Sequence, residues 1–219
     1  MAAAFEELFS RVREAAERKL GAAAGCHDFD HTLRVLANAK MLASQLPEAD
    51  AEIVSLAAML HDIARPEELA SQGKICHAAA GAKIAEKLLL DFGAPPETAR
   101  AVAEAVRTHR YRGGETPRPL EARIVYDADK LDSLGAVGLG RAFLFAGHCG
   151  ARLHNTEGEA LNSPAYSRED TAYREYLVKL RKLPAAMLTV PGRAEGARRL
   201  RFMRRFFDRL DAEIRAAAK

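Results

Sequence analysis

Apolar residues recur three and four positions apart along almost the whole chain. Val35, Ala39 and Leu42 continue a stripe that begins at His31. Ile53, Ala57 and Leu60 lead into His61, and Leu200, Met203, Phe207, Leu210 and Ile214 line one face near the C-terminus. Ala, Leu, Glu, Lys and Arg dominate, and the β-branched and aromatic runs that mark strands are missing. The pattern predicts helices near 4–20, 29–46, 49–63, 77–92, 96–109, 119–132, 135–148, 166–181 and 192–217. Asp28 is placed to cap the second helix, Pro47 ends it, Pro66 limits the third, and Pro96 suits a first helical turn. Gly113-Gly114 and the prolines at 117 and 119 mark an exposed connection, and residues 149–165 read as the longest loop.

With no internal repeat and no low-complexity linker, the economical expectation is a single all-α domain. At 219 residues it is large enough to bury a core and enclose a pocket. A hydrophobic content of 48% with 29% charged residues is ordinary for a soluble globular protein, and a formal net charge of +3 does not by itself imply a nucleic-acid partner. Arginines crowd the last helix, but Asp208, Asp211 and Glu213 dilute their field, which argues against nucleic acid and for a solvated face. No apolar run approaches the roughly 18–20 residues that span a bilayer. The acidic, amphipathic N-terminus does not read as a secretory signal. Cys26, Cys76 and Cys149 are odd in number and widely spaced, which fits a reducing cytoplasm rather than a disulfide framework. Cys26 and Cys76 each precede a histidine, but adjacency is not zinc spacing.

Ionisable residues interrupt the apolar stripes at three places. HDFDHTLRV (27–35) opens the second helix, AAMLHDIARP (57–66) closes the third, and Asp129 borders the stripe of Ile124, Val125 and Ala128. Asp62 follows His61 at a helix C-terminus, where the macrodipole disfavours an unpaired carboxylate. A cation held jointly by His61 and Asp62 would compensate it. Two imidazoles and two carboxylates suit a divalent ion with open water positions. Each residue alone also has a structural reading: the histidines as satisfied core positions, Asp62 as a helix stop, Asp129 as a partner of Arg or Lys. Together they are harder to explain that way, because each costs stability when buried unpaired.

The segments HDFDHTLRV, LAAMLHDIARPE, HAAAGAKIAEKLL, VRTHR and VYDADKLDSLGAVG resemble the signature of the HD-domain (His-Asp) metal-dependent phosphohydrolase superfamily. The resemblance extends to KLPAAMLTVPGRAEGARRLRFMRRFF and is nearest to stand-alone bacterial and archaeal HD proteins. It implies a helical bundle around a central metal held by His31, His61, Asp62 and Asp129. The HD core would span about 25–135, with C-terminal helices over about 136–217 packing on it. His27 and Asp28 are then loop and cap residues that support His31. His77 and His109 match positions that complete a second metal site in binuclear relatives and line the phosphate pocket in mononuclear ones. The segment HRYRGGE lacks the GYP element of the cyclic-dinucleotide phosphodiesterase branch, which argues against a second-messenger role.

The implied activity is hydrolysis of a phosphate ester or anhydride in a nucleotide or another small phosphorylated metabolite. One or two divalent ions (Mn, Mg, Fe, Co, Ni or Zn) would lower the pKa of bound water and polarise a phosphoryl oxygen. Arg65, Lys130 and Arg110 are candidates to face the developing phosphoryl charge, with Arg34 a weaker one. His77 or His109 has the pKa range of a general acid, and Asp62 is placed to orient the attacking water. Two rival classes are a di-iron HD-fold oxygenase and a non-catalytic ligand-binding or sensor module. Homo-oligomerisation stays open.

Overall fold

The computed structural model describes residues 2–21, 28–110 and 116–217. Their regular secondary structure is all helical, with no strand among the described residues. The first eight helices are α1 (Ala2–Leu20), α2 (Phe29–Ala43), α3 (Ala51–Leu60), α4 (Arg65–Ala70), α5 (His77–Asp91), α6 (Pro96–Thr108), α7 (Leu120–Asp132) and α8 (Gly135–His148). They are followed by α9 (Glu157–Asn162), α10 (Ala172–Val178), a 3-10 turn (Leu180–Lys182), α11 (Leu183–Ala186) and α12 (Val190–Ala217). No helix among the described residues is long and apolar enough to cross a membrane. His27, Cys26 and Gly113-Gly114 lie outside the described residues.

The chain forms two compact units, divided within α7 between Asp129 and Lys130. In the first, α5 packs on α6, α2 on α3, α3 on α6, and α1 on α3. Its core follows the apolar stripes: Val12, Ala16 and Leu20 from α1, Val35, Ala39 and Leu42 from α2, and Leu56, Met59 and Leu60 from α3 are all buried. The α5–α6 contact is close because Gly81 stands where a Cβ would come within 3.3 Å of Val106 Cγ1. Asn38 Nδ2 donates to the Ala128 carbonyl at 3.2 Å and ties α2 to α7. In the second unit, α12 packs on α8 and α11, and α10 on α8 and α9.

Three expectations from the pattern need correction. The third helix stops at Leu60, not 63. The Ile63 N–H bonds to Leu60 O and the Arg65 N–H to Asp62 O, each three residues back, so the backbone tightens into turns before α4 begins with Pro66 in its first turn. The expected loop 149–165 contains α9, started by a capping box in which Thr156 and Glu159 satisfy each other's backbone N–H. The helix expected over 166–181 begins only at Ala172. Tyr166 takes a left-handed backbone (φ 62°), its N–H donates to Asp170 Oδ2 at 2.7 Å, and Thr171 then caps α10.

Candidate metal centre

Five segments of the first unit deliver ionisable side chains to one place. α2 brings His31 on its first turn, where the Asp28 side chain accepts from the His31 N–H at 2.9 Å. His61 caps the C-terminus of α3, and Asp62 follows it in the tight turn. His77 is the first residue of α5, His109 ends α6, and Asp129 lies near the end of α7. All are buried except Asp129, whose side chain is 24% exposed.

The ligand-type atoms form two groups, His31–His61–Asp129 and Asp62–His77–His109, each within 4.8 Å internally. In the first, His31 Nε2 is 3.3 Å from His61 Nε2 and 3.5 Å from Asp129 Oδ1. In the second, His77 Nε2 is 3.2 Å from both His109 Nε2 and Asp62 Oδ1, and His109 Nε2 is 3.6 Å from the same oxygen. Asp62 addresses both groups, because its Oδ2 lies 3.7 Å from Nε2 of His31 and of His61. Two atoms each about 2.1 Å from one ion lie roughly 3.0 Å apart at an octahedral angle and roughly 3.4 Å apart at a tetrahedral one. The observed spacings therefore suit ligands arranged around shared ions.

Proton positions make the same case. Nδ1 of His61 contacts Ala58 O at 2.8 Å and Nδ1 of His109 contacts Val106 O at 2.6 Å. A carbonyl only accepts, so both Nδ1 atoms carry the proton and both Nε2 atoms keep their lone pairs. Nδ1 of His77 lies 2.8 Å from Glu68 Oε2 and 3.1 Å from Arg65 Nη1. The carboxylate contact is the shorter and the carboxylate cannot donate, which favours a proton on this Nδ1. Nε2 of His77 and Nε2 of His109 face each other at 3.2 Å. Burial lowers the pKa of His77, although Asp62 opposes it, so a shared proton is disfavoured there. His61 is pushed down to about 4, chiefly by burial and against the pull of Asp62. A neutral imidazole is the form that binds a metal. The donor set fits a divalent cation.

The cations divide by surroundings. Arg65 donates to Glu68 Oε2 at 2.5 Å and has its Nε 3.6 Å from Asp62 Oδ2. Burial works against its charge, but Asp62 and Glu68 outweigh burial and raise its pKa. Arg110 is more exposed, and its Nη1 lies 3.4 Å from Glu68 Oε1. Lys130 is buried one residue beyond Asp129 on α7, as the first residue of the second unit. Arg34 is half-buried on α2. Sequence reasoning missed Glu68, a buried carboxylate that joins Arg65, Arg110 and His77. The acidic pair after Pro66 was its only signal, and the pattern cannot say which of Glu67 and Glu68 turns inward.

A helical core with buried His and Asp residues gathered from several helices, the HD pair at its centre, defines a class. Residues 28–134 match the HD domain family, and the chain belongs to it. All six clustered residues fall inside that match. The chain is 30% identical over 192 residues to the uncharacterized protein YpgQ of Bacillus subtilis, covering 86% of this chain and 84% of YpgQ. The crystal structure of YpgQ in complex with ADP superimposes with a TM-score of 0.74 at 26% identity, over 96% of each chain. A predicted HD superfamily hydrolase from an uncultured Thermotogales bacterium is 29% identical (TM-score 0.64), over 95% of this chain and 91% of that one. An HD-superfamily hydrolase from Bacillus thuringiensis is 25% identical (TM-score 0.75), over 97% and 99%.

Proposed function

We propose that this protein is a divalent-metal-dependent phosphohydrolase that cleaves a phosphate ester or anhydride of a nucleotide or a similar small metabolite. The observation that carries the reading is the pair of facing Nε2 atoms of His77 and His109, backed by Asp62, whose second oxygen turns to His31 and His61. In this reading His31, His61, Asp62 and Asp129 hold one ion and Asp62, His77 and His109 a second. A divalent ion supplies Lewis-acid polarisation of a phosphoryl oxygen and acidifies a water enough to attack at neutral pH. The chain's own groups do the rest. Asp62 balances charge and orients water between the two groups of ligands. His77 and His109 have both ring nitrogens engaged, which supports a ligand role over that of general acid. Arg110 and Lys130 are assigned to the phosphate, whereas Arg65, already engaged by two carboxylates, acts through Glu68. Binding of ADP by YpgQ supports a nucleotide as the phosphorylated partner.

The test is a metal-supplemented panel of nucleotides and phosphomonoesters with product release as the readout. Turnover that requires the divalent ion is expected. A fully metallated protein that releases no phosphate-containing product, yet consumes oxygen with two bound irons, would replace hydrolysis by the oxygenase reading. Metal and nucleotide binding with no turnover of either kind would leave a sensor module.

A further inference from the structure

The three histidines that bond through Nδ1 do not share one kind of partner. His61 and His109 each close a helix, and each donates Nδ1–H to the carbonyl three residues back in that helix, Ala58 and Val106. His77 cannot do this, because it is the first residue of α5 and no turn of that helix precedes it. Its Nδ1 meets Glu68 Oε2 instead, at 2.8 Å across nine residues of chain. Glu68 is 8% exposed, and its hydrogen bond to His77 and the Arg65 guanidinium keep its carboxyl ionised against the effect of burial. The neighbouring Glu67 pairs with Lys19 of α1 at 2.5 Å, so α4 divides its two carboxylates between the site and the scaffold.

We infer that Glu68 is a positioning residue: its carboxylate holds His77 in the Nδ1–H form with Nε2 turned towards Asp62 and His109, replacing the backbone carbonyl that serves His61 and His109. Which nitrogen of a neutral imidazole keeps the proton is decided by the partner of the other. Carboxylate partners of this kind also raise ligand basicity, and their loss typically costs about 10–100-fold in metal affinity. Arg65 then has a task of its own, to hold Glu68 in place through Oε2, while Oε1 lies 3.4 Å from the phosphate-facing Arg110. The inference rests on the reading that Asp62, His77 and His109 hold a cation. A competing account makes Glu68 only an ion-pair partner of the two arginines.

The full-length protein, Glu68→Ala and Glu68→Gln separate the two accounts. Ring nitrogen-15 shifts of His77 are read in metal-free protein above pH 8, and zinc uptake is read by equilibrium dialysis. Glu68→Gln keeps an acceptor for Nδ1–H but removes the charge. It is expected to keep the Nδ1–H form and to weaken one zinc ion less than Glu68→Ala does. Glu68→Ala is expected to admit the Nε2–H form and to weaken one of the two ions by at least about tenfold. The inference is overturned if wild-type His77 carries its proton on Nε2, a result that needs no variant. It is equally overturned if Glu68→Ala changes neither tautomer nor affinity, or if Gln and Ala variants lose zinc alike with the tautomer unmoved. Should the wild type take up no zinc, the metal reading fails by itself, while the metal-free tautomer comparison still decides the role of Glu68.

Discussion

Asp62 presents one carboxylate oxygen to each group of histidines. Replacing it by alanine should therefore affect both metal positions at once. Metal content measured after dialysis should fall towards zero, and activity should drop about 10²-fold or more. Asp28 is only three residues from His31, yet its carboxylate is spent on the His31 N–H at the mouth of α2. Asp28→Ala should cost about 0.5–2 kcal/mol in denaturant unfolding, the usual range for a lost cap, with metal stoichiometry kept. If Asp28→Ala stripped the metal as Asp62→Ala does, the division between cap and ligand would be wrong.

Helix contacts set the distances between these side chains. The pairing of α5 with α6 is what brings His77 to His109, and it depends on Gly81, one turn beyond His77. Val106 Cγ1 and Ile63 Cγ2 leave little room for a side chain there. Gly81→Val should push the helices apart, destabilise the protein by about 1–3 kcal/mol, and weaken metal binding at Asp62–His77–His109 more than at His31–His61–Asp129. Calorimetric titration against the wild type reads both effects. In the second unit, the α9 capping box should be insensitive to mild acid. Hydrogen bonds from the Thr156 N–H and hydroxyl, with help from Arg152, hold the Glu159 carboxyl down at about 2, below its ordinary 4.5. A depressed carboxyl stabilises the fold above its unfolded pKa and loses that contribution as pH falls through the folded one. Hydrogen-exchange protection of the first α9 amides, corrected for intrinsic rate, should match at pH 7 and pH 5 and decline progressively as pH falls from 4.5 to about 2. Thr156→Ala should remove it at every pH.

Every member of the metal cluster belongs to the unit that ends at Asp129, although the described chain continues for five further α-helices beyond α7. A ligand that binds the folded state stabilises it, by about 2.7 kcal/mol at a hundredfold excess over its dissociation constant. Chelation should accordingly raise exchange in α2, α3, α5, α6 and the first part of α7 under native conditions, and leave α8–α12 unchanged. Mass-spectrometric exchange with and without chelator reads this directly. Faster exchange throughout α8–α12 on chelation would show that the ion stabilises more than the unit that holds it.

Periodicity was enough to read the all-α fold, because a buried helix face must repeat near 3.6 residues whatever it packs against. Helix ends at 20, 132 and 148 and starts at 29, 77, 96 and 135 match the structure, since caps, prolines and breaks in the apolar stripe are local signals. The inward positions of His31 and His61 were legible for the same reason. The tight turn after Leu60 was not, because it follows from backbone hydrogen bonds three residues back that no side-chain pattern announces. Nor was Glu68: its worth comes from His77, nine residues away on another helix and lacking a carbonyl of its own to bond. The sequence alone determined which residues were suited to hold a metal and that helices would carry them. The tertiary structure alone decided that Asp62 faces two groups, that Nε2 of His61, His77 and His109 turns towards the cluster, and that Arg65 is held by carboxylates. Those facts depend on distances of 3–4 Å between different helices, and such distances are set by packing, not by any one segment's pattern.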